Sequence, residues 1–250
     1  MGLRPVHVNI KALDAPVVGR FWAEALGWTA YGAGASTYVG PAGGLVWPDP
    51  VAVGVDVVPV PEAGSGTGTA AKNRTHLDVA TTSLAHQAEL VARLRALGAA
   101  PLDIGQGDVP WTVLADPEGN AFCVLEPREV YRDTGPLAAV VVDCADPHAM
   151  GRFWGEALGW TVRRTTDDLV HLRSAEGTGP YLELFRSPLA GTEPGRVHLD
   201  LLPQPGDDLA AEVGRLKDLG AAGLDIGQGD VPWTCLTDPE GNPFCVLAPS

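Results

Sequence analysis

The strongest constraint on this sequence is an internal repeat of domain size. The stretch LDIGQGDVPWTVLADPEGNAFCVL, from Leu102 to Leu125, returns as LDIGQGDVPWTCLTDPEGNPFCVL, from Leu224 to Leu247. A second stretch, GRFWAEALGW from Gly19 to Trp28, returns as GRFWGEALGW from Gly151 to Trp160. A repeat of roughly 125 residues is too long for a solenoid unit and long enough to bury its own core. We therefore expect two similar domains.

The boundary between the domains is predicted where the chain turns polar. The segment from Pro127 to Pro136 is polar and ends in Gly-Pro, a composition typical of an inter-domain segment. We predict a first domain at residues 1–127, a linker at 128–136 and a second domain at 137–250. A tandem chain of this kind is an internal pseudo-dimer, so we expect a monomer or a homodimer.

Composition and charge exclude several classes of partner. The chain has 45% hydrophobic and 19% charged residues, an ordinary globular composition, and a formal net charge of -14. This charge repels nucleic acid and anionic membrane surfaces, so we expect neither as a partner. The N-terminus lacks the pattern of a signal peptide, and the cysteines form no disulfide framework. We predict a cytoplasmic protein with reduced thiols.

Hydrophobic periodicity predicts the order strand, helix and three strands twice in each repeat. Val6 to Ala12 alternates as a strand, and a helix capped by Asp14 ends at Gly27. Short β-leaning runs follow, among them Gly44 to Trp47, and the second module has comparable runs beginning with Leu102 to Ile104. The predicted fold class is α+β, with two βαβββ modules in each repeat.

These elements together resemble the vicinal oxygen chelate superfamily. The resemblance is carried by the doubled βαβββ unit, the helix ending in FWAEALGW, the strand opening HLD and the hairpin DPEGN. It is nearest to the glyoxalase-like, bleomycin-resistance-protein-like branch. It implies two tandem domains in which paired modules form a cupped, incomplete barrel. In many members the cup holds a divalent metal that two substrate oxygens chelate, whereas other members keep the cup without the metal.

The resemblance also implies where metal ligands lie in the first and fourth strands of a cup. The first-strand histidine of the family matches His7, which precedes the Asp14 that opens the helix, but the second repeat has Ala139 at that position. The fourth-strand ligand sits between apolar residues, and the matching positions are Asp56 and Glu183.

The fifth and eighth strands supply the remaining ligands in the family. The fifth-strand position matches His76 in the first repeat and His198 in the second. The last ligand of the family is a glutamate, and this chain has Cys123 and Cys245 there instead. A thiolate binds zinc well, so cysteine does not exclude a metal. The alternative is that each cysteine is a small buried hydrophobe in an apolar strand.

The sequence leaves open which modules share a cup. If the modules of one repeat close on each other, one cup contains His7, Asp56, His76 and Cys123, and the other contains Glu183, His198 and Cys245. If the first module closes against the fourth, His7 and Asp56 face His198 and Cys245. His7 belongs to the richer site in either arrangement.

The segment GQGDVPW, present in both repeats, supplies candidate cavity residues. Its paired glycines indicate a bent strand that brings polar side chains to the rim of a cup. The alternative role for the tryptophans is packing within the barrel. The candidates are Gln106, Asp108 and Trp111, with Gln228, Asp230 and Trp233 as their counterparts.

Three functional hypotheses follow. The first is an enzyme in which one divalent metal (Zn, Ni, Mn or Fe) acts on a small oxygenated or aromatic substrate by lyase, isomerase or dioxygenase chemistry. The second is a metal-free protein that binds or sequesters a small, antibiotic-like molecule. The third is a metal-independent catalyst that uses the cavity to hold its substrate in a reactive shape. The expected partner in each case is a small molecule.

Overall fold

The computed structural model describes residues 2–43, 53–60, 73–187, 195–227 and 229–249. The predicted strand Gly44 to Trp47 and the cavity candidate Gln228 lie outside these ranges. None of the described helices is long and apolar enough to cross a membrane. The described helices are α1 Ala15–Leu26, α2 Leu84–Ala96, α3 Pro147–Leu158 and α4 Leu209–Asp218.

The strands follow the predicted order, with one helix and its flanking strands in each of four modules. The first module contains β1 Arg4–Ala12, β2 Thr29–Ala33, β3 Ser36–Gly40 and β4 Gly54–Pro59; the second, β5 Thr75–Val79, β6 Ala100–Pro101, β7 Thr112–Ala115 and β8 Ala121–Val124. The third contains β9 Leu137–Cys144, β10 Thr161–Thr166, β11 Leu169–Arg173 and β12 Tyr181–Arg186; the fourth, β13 Val197–Leu202, β14 Ala222–Gly223, β15 Trp233–Thr237 and β16 Pro243–Leu247.

One predicted strand is wrong. Residues 102–104 are not a strand, and the short β6 precedes them. The Asp103 carboxylate accepts a hydrogen bond from the backbone of Gly105 at 2.8 Å, and Gly105 has a φ of 78°. This local turn bends the backbone away from β7 before a longer ladder can form.

Each sheet is assembled from both repeats. The first sheet has the order β14-β15-β16-β13-β1-β4-β3-β2, and the second has the order β10-β11-β12-β9-β5-β8-β7-β6. At their centres, β1 pairs antiparallel with β13, and β5 pairs antiparallel with β9. The first module therefore shares a sheet with the fourth, and the second with the third. Neither sheet closes into a barrel within the part of the chain that the structure describes.

This topology decides between the two arrangements that the sequence leaves open. A cup built from the modules of one repeat is wrong, because His7 and Asp56 lie on the first sheet whereas His76 and Cys123 lie on the second. The pairing of the first module with the fourth is the one observed.

The helices form where the sequence predicts them and cover one face of each sheet. The Asp14 side chain accepts from the backbone of Val17 at 3.0 Å, and α1 ends at Gly27, whose φ of 63° is left-handed. Trp22 and Phe21 on this helix are buried and pack against Phe122 of the second sheet. A single hydrophobic core therefore extends across both sheets.

The DPEGN turn links the two modules of one repeat. The Asp116 carboxylate accepts from the backbone of Glu118 and Asn120 at 2.9 Å each, and from the indole Nε1 of Trp22 at 3.3 Å. In the second repeat Asp238 accepts from Trp154 in the same way at 3.4 Å. Asp116 is thus a turn residue, as predicted, and also a buried acceptor for the helix of the neighbouring sheet.

Glu118 of the same turn anchors the start of α1. Its carboxylate accepts from the backbone of Leu13 at 2.8 Å and of Asp14 at 2.7 Å. Glu240 makes the equivalent contacts with Ala145 and Asp146. The turn therefore holds the corner between strand and helix of a module that belongs to the other sheet.

We expect Glu118→Ala to destabilise the chain by about 2 kcal/mol, because it removes two charge-assisted hydrogen bonds from a largely buried carboxylate. The measurement is urea unfolding. Glu118→Gln keeps one acceptor oxygen and should recover part of the loss. A free energy of unfolding for Glu118→Ala within about 0.5 kcal/mol of the parent would contradict this role.

Candidate functional site

The face of the first sheet that lies opposite the helices collects polar side chains from four strands. In the sheet register His7 lies opposite Asp200, and Asp200 lies beside Cys245. Cross-strand partners project from the same face of a sheet, as do alternate residues of one strand. We call this face the first cup, defined by His7, Asp56, His198, Asp200 and Cys245.

The five side chains of the first cup form two overlapping triads. One ligand atom from each of His7, Asp56 and Asp200 lies within 4.8 Å of the others, and the same holds for His198, Asp200 and Cys245. Within the second triad, His198 Nε2 is 3.3 Å from Asp200 Oδ1 and 3.6 Å from Cys245 Sγ. Asp200 is the member common to both.

These separations match the donor spacing of a metal site. Zinc–ligand bonds of about 2.0–2.3 Å in a tetrahedral site put neighbouring donor atoms roughly 3.3–3.8 Å apart. The 3.3 Å and 3.6 Å contacts made by His198 fall within that range. Imidazole, carboxylate and thiolate are donors that zinc accepts together, so the residues present fit a divalent ion of this type.

Burial sets the protonation of the two groups at the edge of the first cup. Burial lowers the pKa of His7, against the opposing effect of the Asp200 and Asp56 carboxylates. Burial also raises the pKa of Asp56, against the opposing effect of His7. His7 is therefore neutral at neutral pH, which is the form that can donate a lone pair to a metal.

Asn9 and Tyr38 also contribute to the polar lining of the first cup. The Asn9 amide donates to Asp200 Oδ2 at 3.2 Å and holds the shared carboxylate in place. The Tyr38 ring lies 5.4 Å from the His7 ring, in space that two glycines leave open: a Cβ would lie 2.6 Å from this ring at Gly54 and 2.7 Å from its hydroxyl at Gly40.

The Tyr38 hydroxyl is a donor available to a bound molecule. It is buried and has no hydrogen-bond partner among the described residues. Burial raises its pKa to about 12, with Tyr31 and Asp56 contributing, so the O–H proton is retained at neutral pH.

Two cysteines meet at the edge of the first cup. Cys235 on β15 lies directly opposite Cys245 on β16, with the two Sγ atoms 3.4 Å apart. This contact lowers the pKa of Cys235 to about 7, while the same contact and burial raise the pKa of Cys245. A thiol pair that shares a hydrogen bond loses its first proton more easily than its second.

The corresponding face of the second sheet has a different set of side chains, which we call the second cup. His76, Asp78 and Cys123 repeat the triad of the fourth module, with His76 Nε2 3.8 Å from Asp78 Oδ1. On the far side, His171 Nε2 lies 3.5 Å from Glu183 Oε1.

The segment predicted as a linker fills part of the second cup. Tyr131, in a 3₁₀ turn at Glu129–Tyr131, is only 4% exposed and donates its hydroxyl to Glu183 Oε1 at 2.6 Å. It packs in one apolar cluster with Cys123, Ala139 and Tyr181. An alanine and a tyrosine therefore stand where the first cup has the His7 imidazole, and the second cup lacks that ligand.

The second cup contains a half-open cavity of about 200 Å³. Gln106 and Trp111, both predicted as cavity residues, line it, and the Trp111 indole donates to Gln106 at 3.0 Å. Asp108 is exposed and does not line the cavity. Of the candidates in the second repeat, Asp230 is exposed, and Trp233 is 38% exposed on β15 of the first sheet.

Several site residues were not predicted from the sequence. Asp200 and Asp78 follow the family histidine in the motif HLD, and their position two residues along a strand puts them on the same face. The two-residue spacing along a strand could therefore have identified both aspartates as site residues. No comparable signal pointed to His171, Tyr38 or Tyr131, which reach the cups from strands and a linker that contribute no ligand in the resemblance.

Comparison with known proteins supports the same fold. A family model described as a glyoxalase-like domain matches residues 7–125 and 139–247. Glyoxalase I from Zea mays aligns over 99% of this chain and 92% of its own, with a TM-score of 0.64 and 16% identity. A provisionally assigned dioxygenase from Bacillus subtilis subsp. subtilis str. 168 aligns over 99% and 85%, with a TM-score of 0.62 and 13% identity. At such identities the likeness establishes the fold alone. None of the curated protein sequences compared with the chain matches it.

His171 predicts a pH-dependent loss of stability. Burial, followed by the charges of Arg164 and Arg128, lowers its pKa from 6.5 to about 4. The unfolded chain therefore binds a proton that the folded chain rejects between these values, and stability falls as the pH drops below 6.5.

We expect this group to contribute a loss of about 2 kcal/mol between pH 7 and pH 5. Urea unfolding of the parent and of His171→Leu at both pH values measures this contribution. On acidification, the free energy of unfolding of the variant should fall by about 2 kcal/mol less than that of the parent. Equal losses in both proteins would show that His171 is not buried in its neutral form.

Proposed function

The chain belongs to the glyoxalase-like domain family, and from this premise we propose that its first cup is a metal-dependent catalytic site. The proposed ion is divalent, and zinc is the preferred candidate. The proposed substrate is a small molecule that presents two adjacent oxygens. The observation that carries the proposal is the sharing of Asp200 between two donor triads. A lyase or isomerase reaction suits this site, because zinc has no redox chemistry of its own.

The proposed ligands are His7, His198, Asp200 and Cys245. Two imidazoles, a carboxylate and a thiolate are donors that zinc accepts, and nickel and iron(II) share the imidazole and carboxylate preferences. The Asn9 amide orients Asp200 from outside the ligand set, a type of contact that strengthens metal binding. Asp56 forms a triad with His7 and Asp200 but is kept outside the proposed ligand set, because we assign it a role as a base.

The chain's own side chains account for the remaining chemistry. A divalent ion bound here supplies a Lewis acid that polarises a substrate oxygen. Tyr38 donates a hydrogen bond to an oxygen of the substrate through its buried hydroxyl. Asp56 is the group within reach to accept a substrate proton and return it, since burial raises its pKa towards the working range of a general base.

The central test compares the two aspartates of the repeated triad. We expect the parent to bind about one zinc per chain, and Asp200→Asn to weaken that binding by at least about 100-fold. Asp78→Asn is the matched control, because it makes the same change in the cup that lacks the first-strand histidine. Elemental mass spectrometry and competition with a chromophoric chelator measure both. A parent that cannot be loaded, or equal losses in the two variants, would refute the metal site.

A bidentate ligand then tests whether the site is open to substrate. Acetohydroxamate offers two adjacent oxygens and should change the visible spectrum of the cobalt-loaded parent. Tyr38→Phe should keep the metal and bind acetohydroxamate more weakly, because it removes only the donor. Unchanged affinity in that variant would remove Tyr38 from the proposed mechanism.

The second cup supports a second candidate function, the metal-free binding or sequestration of a small aromatic molecule. Tyr131 and Ala139 fill the first-strand position, and Trp111 lines the remaining cavity of about 200 Å³. A cavity of about 150 Å³ is large enough for benzene, so one substituted ring fits here. Arg164 also lines it and favours a ring that carries a carboxylate, whereas Arg128 is paired with Glu126 and lies over the Trp111 ring.

Tryptophan fluorescence tests this second candidate. We expect benzoate-like carboxylates to quench the parent, and Trp111→Leu to abolish the response, because the ring would stack beside that indole. Trp233→Leu is the matched control at the corresponding repeat position in the other sheet and should retain the response. Equal quenching in both variants would place the binding elsewhere.

A further inference from the structure

The cysteine pair of the first cup has a geometry that the proposed metal site does not require. Cys235 and Cys245 are neighbours across the antiparallel strands β15 and β16, and their Sγ atoms are 3.4 Å apart. Both are free thiols, 4% and 9% exposed. At the same place in the second cup, Cys123 lies opposite Val113. The thiol pair therefore distinguishes one cup from the other in an otherwise almost identical hairpin.

The register of the two strands permits a covalent bond between these sulfurs. Residues directly opposite in an antiparallel pair have Cα atoms about 4.5–5.5 Å apart, which lies inside the range of about 4.4–6.8 Å found for disulfides. The Sγ atoms need only approach from 3.4 Å to about 2.05 Å. Rotation of the two side chains supplies that movement, so the sheet can keep its register.

We propose that Cys235 and Cys245 form a reversible oxidation site that controls the first cup. The oxidant is a low-molecular-weight disulfide. One cysteine sulfur attacks it and releases the first small thiol, and the second cysteine then displaces the other small thiol from the mixed disulfide. The two cysteines lose two protons and two electrons and gain one S–S bond, while the oxidant is reduced to two thiols.

Oxidation at this position has a consequence for the metal, and this part rests on the proposed function. Cys245 belongs to the triad with His198 and Asp200. A sulfur held in a disulfide is no longer a thiolate and cannot serve as the anionic ligand. The oxidised chain therefore binds zinc more weakly, and a bound zinc ion in turn protects the pair from oxidation. The second cup, with Val113 opposite its cysteine, is unaffected.

The sequence between the two cysteines makes the bond directly measurable. Glu240 lies between Cys235 and Cys245, so a protease that cleaves after glutamate separates them unless a disulfide joins the fragments. The folded, metal-free chain is incubated with oxidised glutathione. Free thiols are then blocked, and the denatured chain is digested without reductant and analysed by mass spectrometry.

Two variants provide matched controls. Cys235→Val reproduces the residue that the other repeat has at this place, and should give no linked fragments. Val113→Cys creates the same pair in the second cup, where Glu118 separates the two positions, and should give a second linked pair. Linked fragments in the parent and in Val113→Cys support the site. Glutathione adducts on single cysteines of the parent without a link overturn it.

Repeating the oxidation with zinc-loaded protein tests the oxidation site separately from the proposed metal site. Preloading the reduced parent with zinc should slow the appearance of the link at least tenfold, and the oxidised parent should bind zinc at least tenfold more weakly than the reduced one. If the link forms at the same rate with zinc bound, the control of the cup is refuted. If the reduced parent binds no zinc, the proposed metal site fails, while the link in the metal-free chain still decides the oxidation site.

Discussion

The antiparallel pairing of β1 with β13 is the contact on which the candidate site depends. It joins the first module of one repeat to the last module of the other, and its register sets His7 opposite Asp200 and Asn9 opposite His198. A shift of β1 by one residue would turn His7 and Asn9 to the helix-covered face. The donors of the proposed metal site therefore come together only because two distant strands pair in this one register.

The same scaffold built twice presents two different sets of side chains because a few positions differ. The pairing of β5 with β9 is the counterpart of β1 with β13, and it sets Asp78 opposite Ala139 and His76 opposite Val141. Alanine and valine bind no metal, and Tyr131 packs into the resulting apolar space. The triad of histidine, aspartate and cysteine occurs in both cups. In the first cup polar side chains of β1 lie beside it, whereas in the second cup apolar side chains of β9 occupy the equivalent positions.

Contacts within each repeat bind the two sheets into one body. Trp22 on the helix of the first sheet donates to Asp116 in a turn of the second, and Glu118 of that turn accepts from the start of the same helix. The DPEGN motif, which local sequence identifies only as a turn, has this second function because of the tertiary arrangement.

Local signals in the sequence determined the modules, their order and the family. The Asp14 cap, the Gly27 stop and the strand alternation act over a few residues, so they can be read without knowing what lies nearby in space. Only the tertiary structure decided which modules share a sheet, because the two repeats offer nearly identical edges and the choice depends on long-range packing. The position of His7 opposite Asp200 and the burial of Tyr131 in the second cup both result from this pairing of modules.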